Sequence, residues 1–381
     1  MGNVTKRRLL FLMPSLAGGG AERTLINLFK AIDYTRYEVH LVVVAKYGPY
    51  VKQVPQEVQT TYLFNSNLVV RILALLQKKT GWEWLFKQRI QRKLGKQTFD
   101  VGISFLDSNF TNLLFFVEGI KRRFTWVHSS YKSYRNFARF YENKAYREKL
   151  IKERYSRLDG ICFVSHDALE EFKEVFGEYD DMRVVYNLID SNGVLEKACV
   201  EKADKVDTRF QFVALGSLLP VKGFDRLIRA AKILKDQGEE FLVTIAGRGP
   251  EEDQLKKLVD ENQLNNYISF AGFLSNPYSL LKSADAFVMS SVSEALPTVL
   301  CEAMILGKPT VVTNCSGCRE LVEQGKYGLM AEQDDADLAS KMSQYITNPE
   351  LLEHFHKQSL ERANIFNDQA MLAEYYDVFE R

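Results

Sequence analysis

The chain has no apolar run approaching the ~18 residues of a membrane span, so no spanning helix is expected. Its start, Lys6-Arg7-Arg8 before Leu9–Met13, imitates a signal peptide only superficially. The apolar stretch ends at Pro14 without a small-residue cleavage site, and reads as a basic lead-in to a buried first strand. Cysteine is scarce and odd in number (Cys162, Cys199, Cys301, Cys315, Cys318), which argues against a disulfide framework and suits a reducing cytoplasm. Cys315 and Cys318 form a C-x-x-C, but a zinc site needs a second pair or spaced histidines, and none lies nearby. The bland reading is a loop that carries two thiols. A third glycine is missing from both Gly18-x-Gly20 and Gly247-x-Gly249, where Arg23 and Glu252 stand instead, which disfavours NAD.

Net charge is also nearly absent, at +1 over 381 residues, but that balance hides a division. Residues 1–150 hold 25 basic and 10 acidic groups, and the remainder hold 25 and 39. Such polarity points to an anionic partner for the first half: nucleic acid, an anionic membrane or a phosphorylated acceptor. No nucleic-acid module is recognisable, and nucleic acid is not expected.

What the chain does have is ordinary globular composition, 46% hydrophobic and 26% charged, at a length suited to two domains. Short apolar runs at 8–13, 39–45, 101–105, 124–127 and 160–164 read as strands. A second set follows at 212–216, 242–246, 268–271, 286–289 and 310–312. Segments with apolar residues at helical spacing, such as Leu25, Leu28, Phe29 and Ile32, lie between them. This alternation predicts an α/β fold of two Rossmann-like, doubly wound domains facing a central cleft. The expected boundaries are 1–190 for the first domain, 191–208 for a polar linker, and 209–363 for the second domain. A final helix over 364–381, with Met371, Tyr375, Val378 and Phe379 on one stripe, is expected to return to the first domain.

The strongest chemical signal is Ser293-Glu294-Ala295-Leu296-Pro297-Thr298-Val299-Leu300-Cys301-Glu302-Ala303. Pro297 suits the first turn of a helix, where its missing N–H costs nothing. Leu300, Ala303 and Met304 supply a buried stripe, and Gly307 a stop. Glu294 then sits just before the helix and Glu302 about one and a half turns into it. The free N–H groups around Leu296–Val299 make an anion site.

Glu-x7-Glu after an apolar strand resembles the family 4 retaining glycosyltransferases (glycosyl transferases group 1) of GT-B fold. The resemblance extends to Leu215-Gly216-Ser217-Leu218, Val221-Lys222-Gly223-Phe224-Asp225, Ile245-Ala246-Gly247-Arg248-Gly249, Phe270-Ala271-Gly272-Phe273 with Asn276-Pro277, Gly18–Glu22 and Trp126-Val127-His128. It implies that Lys222 neutralises a donor diphosphate with help from amides near Leu296–Thr298. It also implies that Glu302 holds the ribose, Glu294 the donor sugar, and backbone near Phe273 the nucleobase. Gly19 and Gly20 would admit the main chain to the reacting centre, and His128 would line the sugar site. Glu294 and His128 are thus the catalytic candidates. Where the family usually has Arg, this chain has Ser217, a single neutral donor in place of a charged fork. Arg248 or Arg226 is the expected substitute.

Asp335-Ala336-Asp337 resembles a metal-binding D-x-D, but it precedes a helical run and reads as a cap. Neither a metal nor a cofactor is expected. Residues 65–96 carry eight Lys+Arg against one acid, interleaved with Leu73, Leu75, Leu76, Trp82, Trp84, Leu85 and Phe86. Such a segment suits contact with an anionic membrane, and residues 131–149 form a second basic-aromatic stretch. The expectation is a retaining transferase moving a sugar from a UDP-sugar to a lipid-linked saccharide in surface polysaccharide synthesis, peripheral on the cytoplasmic membrane face. The alternative, favoured by Ser217, is a catalytically weak subunit that binds nucleotide-sugar or lipid and supports a partner transferase.

Overall fold

The computed structural model describes residues 6–80, 82–131, 143–200 and 207–381. The chain divides into two compact units. The first runs to Ser129, resumes to Leu188, and includes Gln369–Arg381; the second takes the chain from Ile189 to Asp368.

Among the described residues the first unit holds a seven-stranded parallel sheet. Its strands are β1 (Arg7–Met13), β2 (Tyr37–Ala45), β3 (Gln59–Phe64), β4 (Phe99–Ser104), β5 (Ile120–Val127), β6 (Gly160–Phe163) and β7 (Met182–Val184), in the order β3-β2-β1-β4-β5-β6-β7. Leu9 to Met13 are at most 1% exposed, as a strand covered on both faces must be. The second unit repeats the plan with β8 (Phe210–Leu215), β9 (Phe241–Ala246), β10 (Ile268–Gly272), β11 (Ala286–Met289), β12 (Thr310–Thr313) and β13 (Leu329–Ala331), in the order β10-β9-β8-β11-β12-β13. Strand order therefore reverses between β1 and β4 in one sheet and between β8 and β11 in the other. Loops splay apart above such points, and ligands bind there in open α/β sheets.

β3, β7 and β13 escaped the sequence reading. Each is an edge strand, and β7 and β13 have only three residues apiece. An edge strand is partly solvated and need not carry the continuous apolar run that marks a central one.

Helices cover both sheets. In the second unit, Phe224–Asp236 buries Phe224, Leu227, Ile228, Ala230, Ala231 and Leu234. Each buried Leu or Ile contributes about 1.5–3 kcal/mol. Asp225 in its first turn and Lys235 in its last suit the helix dipole. In the first unit, Asn67–Thr80 and Trp84–Leu94 pack Val70, Leu73, Phe86, Ile90 and Leu94 into one core with Leu10, Leu12, Val42 and Val44.

The closing helix, Asp368–Glu380, belongs to the first unit. Its stripe of Met371, Tyr375, Val378 and Phe379 is buried, and the Tyr375 ring stacks on Trp126 at 5.7 Å. The stretch expected as a plain linker is corrected: Ser191–Lys197 is helical, with Asp190 capping the Gly193 amide. Its polar composition belongs to a short exposed helix, and residues 201–206 lie outside those described.

Candidate active site

In the second unit the sequence-predicted residues gather at the carboxyl ends of the strands. Ser217 and Lys222 follow β8, Arg248 follows β9, Phe273 follows β10, and Glu294 to Thr298 follow β11. The centre of this edge is the switch point between β8 and β11, where Lys222 Nζ lies 2.6 Å from Glu294 Oε1. Ser291 Oγ donates to the same carboxylate oxygen at 2.8 Å. Among the described residues, Glu294 Oε2 receives no hydrogen bond and remains an acceptor.

The local backbone explains this pairing. Ser290 Oγ donates to the Lys222 carbonyl at 3.0 Å, and the Val292 amide donates to the Val221 carbonyl at 2.8 Å. The two loops are thereby stitched side by side. Gly223 makes the approach possible. It sits at φ 60, and a Cβ there would lie 2.2 Å from the Ser290 carbonyl oxygen. No other residue fits both demands. Burial draws the Lys222 ammonium down, but the charge and hydrogen bond of Glu294 together outweigh it and leave Lys222 above its ordinary range. The pair is thus a fixed cation beside a fixed acceptor.

The helix after β11 is Thr298–Ile305, with Pro297 as its N-cap. Pro297 therefore stands one position before the first turn expected for it, because its extended ψ of 104° turns the chain into the helix. The Leu300 and Cys301 amides both bond to the Pro297 carbonyl, at 3.0 and 3.3 Å. The Thr298 and Val299 amides, ahead of them, have no intrahelical acceptor by helix geometry and point out of the helix start. Leu296 and Pro297 are buried, and Leu300, Ala303 and Met304 anchor the helix completely. Glu302 Oε1 accepts from Tyr278 Oη at 3.0 Å. Tyr278 was missed in the sequence reading, although it directly follows Asn276-Pro277.

Ser217 is exposed, and its loop is knitted to that of Arg248 by Leu218 N–H to the Arg248 carbonyl at 3.0 Å. Arg248 is the exposed cation on the adjoining loop. Arg226 is engaged at the switch point itself, where its Nη1 donates to the Ser290 carbonyl at 2.8 Å. Of the two expected substitutes, Arg248 is exposed beside Ser217 and Arg226 is tied to the loop that pairs with Lys222. Phe273 is 65% exposed beyond β10.

The C-x-x-C needs correction. It does not lie in a loop, because Cys315 is the N-cap of the helix Ser316–Leu321 and Cys318 is inside it, with both side chains buried. Gly317 between them donates its amide to the Glu294 carbonyl at 3.0 Å, and a Cβ on it would lie 2.3 Å from the Ala295 carbonyl oxygen. The motif is the back wall of the Glu294 loop. Asp335 and Asp337 occupy the first turn of Asp335–Thr347, but the capping side chain is Asp334, which accepts from the Ala336 and Asp337 amides at 2.9 Å. Arg229 pairs with Asp335 at 2.6 Å.

In the first unit, Gly19 is the N-cap and Gly20 the first residue of the helix Gly20–Ala31. The turn leaves β1 through Gly18, at φ 110. His128 ends β5, its ring 5.2 Å from that of Phe105, so both features stand at the carboxyl edge of the first sheet. Burial holds the His128 imidazole far below its ordinary value, at about 3, against a small opposing effect of the Phe105 backbone. Among the described residues its buried Nε2 has no hydrogen-bond partner.

Residues 197–362 match the family described as glycosyl transferases group 1, and residues 18–192 match glycosyltransferase family 4. Among curated relatives, a lipopolysaccharide core biosynthesis glycosyltransferase, LpsD of Rhizobium meliloti, is 29% identical over 60% of this chain and 65% of its own length. The putative colanic acid biosynthesis glycosyltransferase WcaL of Salmonella typhimurium is 34% identical over 42% of each. The chain thus spans about two fifths to two thirds of the length of these relatives. A fuller match is the N-acetylgalactosamine-N,N'-diacetylbacillosaminyl-diphospho-undecaprenol 4-alpha-N-acetylgalactosaminyltransferase of Campylobacter jejuni, 27% identical over 95% of this chain and 96% of that protein. The crystal structure of Anabaena Alr3699/HepE in complex with UDP superposes with a TM-score of 0.76 at 18% identity, covering 99% of this chain and 100% of that one. Two parallel α/β sheets with reversing strand order, the matched segments and this superposition together place the chain in the glycosyl transferases group 1 family, with the GT-B fold.

Proposed function

We propose that this protein transfers a sugar, with retention of anomeric configuration, from a UDP-sugar to a lipid-linked saccharide during surface polysaccharide synthesis. The observation that carries this reading is the Lys222–Glu294 pair at the β8/β11 switch point, beside the start of the helix Thr298–Ile305. A leaving diphosphate needs its growing charge met where it develops. Lys222 and the amides of Thr298 and Val299 meet it there, without resident metal or cofactor. Glu294 Oε2 accepts from a hydroxyl of the donor sugar, and Glu302, steadied by Tyr278, accepts from the ribose. Glu294 and Glu302 address different parts of the donor, so neither is assigned as a nucleophile. His128, held neutral, hydrogen-bonds the sugar rather than delivering a proton. Arg248 stands in for the cation absent at Ser217.

The nucleotide is drawn from the UDP bound in HepE, and the acceptor from the diphospho-undecaprenol named for the Campylobacter enzyme. The names of LpsD and WcaL support surface glycan synthesis. A lipid acceptor and a basic first half together support peripheral work on the anionic cytoplasmic face of the cell membrane.

Purified protein is to be screened with UDP-sugars and vesicles carrying lipid-diphosphate saccharides, measuring UDP release. Turnover is expected with one donor, with a loss of about 100-fold or more in Lys222→Ala and Glu294→Ala. Intact turnover in those variants overturns the site. Release only after a second protein is added supports the subunit reading that Ser217 favours. If no UDP-sugar gives either release or thermal stabilisation, the donor assignment falls.

A further inference from the structure

The helix Asn67–Thr80 is apolar on both sides. Its inner face, Val70 and Leu73, packs into the first unit's core. Its outer face presents Leu68, Ile72 and Leu75, at 66%, 51% and 59% exposure, with Val69 and Leu76 beside them. At 100° per residue these five side chains fall within one stripe about 120° wide, opposite the buried one. Water does not stabilise such a stripe, and soluble monomers rarely expose one. The sequence reading had placed Leu73 and Phe86 in the contact segment, but both are buried. Leu75 and Leu76 of that segment are exposed, and Leu68, Val69 and Ile72 complete the stripe with them.

The surroundings name the occupant. Trp84–Leu94 buries into the same core on the same face of the sheet, so its outer side looks away from that sheet as the stripe does. Lys87, Arg92 and Lys93 are exposed on this helix, with Lys96 just beyond, whereas Arg89 turns back to donate to the Leu63 carbonyl at 3.0 Å. A cavity of about 830 Å³ is lined there by Leu85, Gln88, Arg89, Gln91, Arg92 and Lys93. Exposed Trp82 lies between the two helices and exposed Trp84 opens the second, their rings 6.2 Å apart. Aliphatic groups beside cations and interfacial tryptophans complement an anionic phospholipid bilayer: acyl chains take the first, phosphates the second, and the headgroup boundary the third.

We infer that Asn67–Thr80 is a membrane-inserting helix whose outer stripe of Leu68, Ile72 and Leu75 enters the acyl layer while the cations of Trp84–Leu94 hold lipid phosphates. This deepens the peripheral-contact reading above and rests on it. It differs in making aliphatic insertion, rather than charge alone, the anchor.

The test is flotation of the whole protein with phosphatidylglycerol vesicles and with phosphatidylcholine vesicles, in low and ~1 M salt, where charge attraction is screened. The wild-type protein is expected to float with the anionic vesicles and to keep part of that binding at high salt. A variant combining Leu68→Ser, Ile72→Ser and Leu75→Ser is expected to lose at least about tenfold in affinity. Arg92→Gln, Lys93→Gln and Lys96→Gln each lower binding about fivefold at low salt only. Brominated acyl chains are expected to quench Trp82 and Trp84, while buried Trp126 keeps its emission. An unchanged melting temperature shows that the serine variant folds. If that variant floats like wild type, the insertion proposal falls and the peripheral reading stands. If the wild type does not float, both fall. If the substitutions instead convert a dimer to a monomer without changing flotation, the stripe belongs to a second copy of the chain and the proposal is wrong.

Discussion

The two sheets present their switch points in different chemistry. Between β8 and β11 stand a lysine and a glutamate 2.6 Å apart, fastened by hydrogen bonds to neighbouring loops. Between β1 and β4 the chain leaves β1 through Gly18, Gly19 and Gly20, followed in the first helical turn by Glu22, whose carboxyl burial pushes up, while His128 stands beyond β5. The same topology thus carries a fixed cation–carboxylate pair in one sheet and glycine backbone with a half-buried carboxyl in the other. Holding a diphosphate requires compensating charge fixed in advance, since reorganising it during reaction would cost what it supplies. Under the proposed function, a region that admits a sugar and its acceptor needs room for main chain to approach, which glycine supplies.

The comparison can be broken first at Gly317, whose position against the Ala295 carbonyl holds the charged loop from behind. Gly317→Ala is expected to destabilise the protein by about 1–3 kcal/mol through overpacking. It should also weaken UDP binding, because the Glu294 loop must shift. Chemical denaturation and calorimetric titration with UDP read the two effects, and neither changing would show that the wall is dispensable.

The first sheet is tested by acid. The folded His128 takes its proton only near 3, whereas the unfolded chain does so near 6.5. Between those values the unfolded state binds more protons, so this group's effect is to lower stability as pH falls. The slope is about 1.4 kcal/mol per pH unit. His128→Gln should be free of that loss, and the stability gap between wild type and variant should move in the variant's favour from pH 6 to pH 4. Parallel urea midpoints across that range would show instead that the imidazole charges in the folded protein.

The smallest effect sharpens the charged side. Ser217→Arg restores a fork beside Arg248 and should tighten UDP about tenfold, the worth of one charge-assisted hydrogen bond. No gain would mean that Arg248 already fills the place.

Much of the site was legible as residue types in order, because Lys222, Glu294 and Glu302 sit in recognisable local patterns of strand, turn and helix. What was not legible is instructive. Gly317 lay in a segment read as a loop with two thiols, because nothing local marks a glycine whose neighbour is Ala295, 22 positions earlier. Tyr278 carries no signal of the carboxylate it meets, 24 residues away. β3, β7 and β13 were invisible because edge strands are half-solvated, and β7 and β13 are short as well.

By itself, the sequence determined the alternation of strands and helices, the two-sheet plan and the placing of the candidate site residues at strand-to-helix turns. Each of these is written in local periodicity and turn chemistry. Tertiary structure decided which residues meet. It set Lys222 against Glu294 across the switch point, tied Arg226 to a carbonyl and left Arg248 exposed, and turned Leu68, Ile72 and Leu75 outward while Leu73 went in. The physical reason is that burial is a property of a surface and its neighbour. A helix apolar on both sides satisfies the same periodicity whichever face is covered, and only the sheet beneath it selects one.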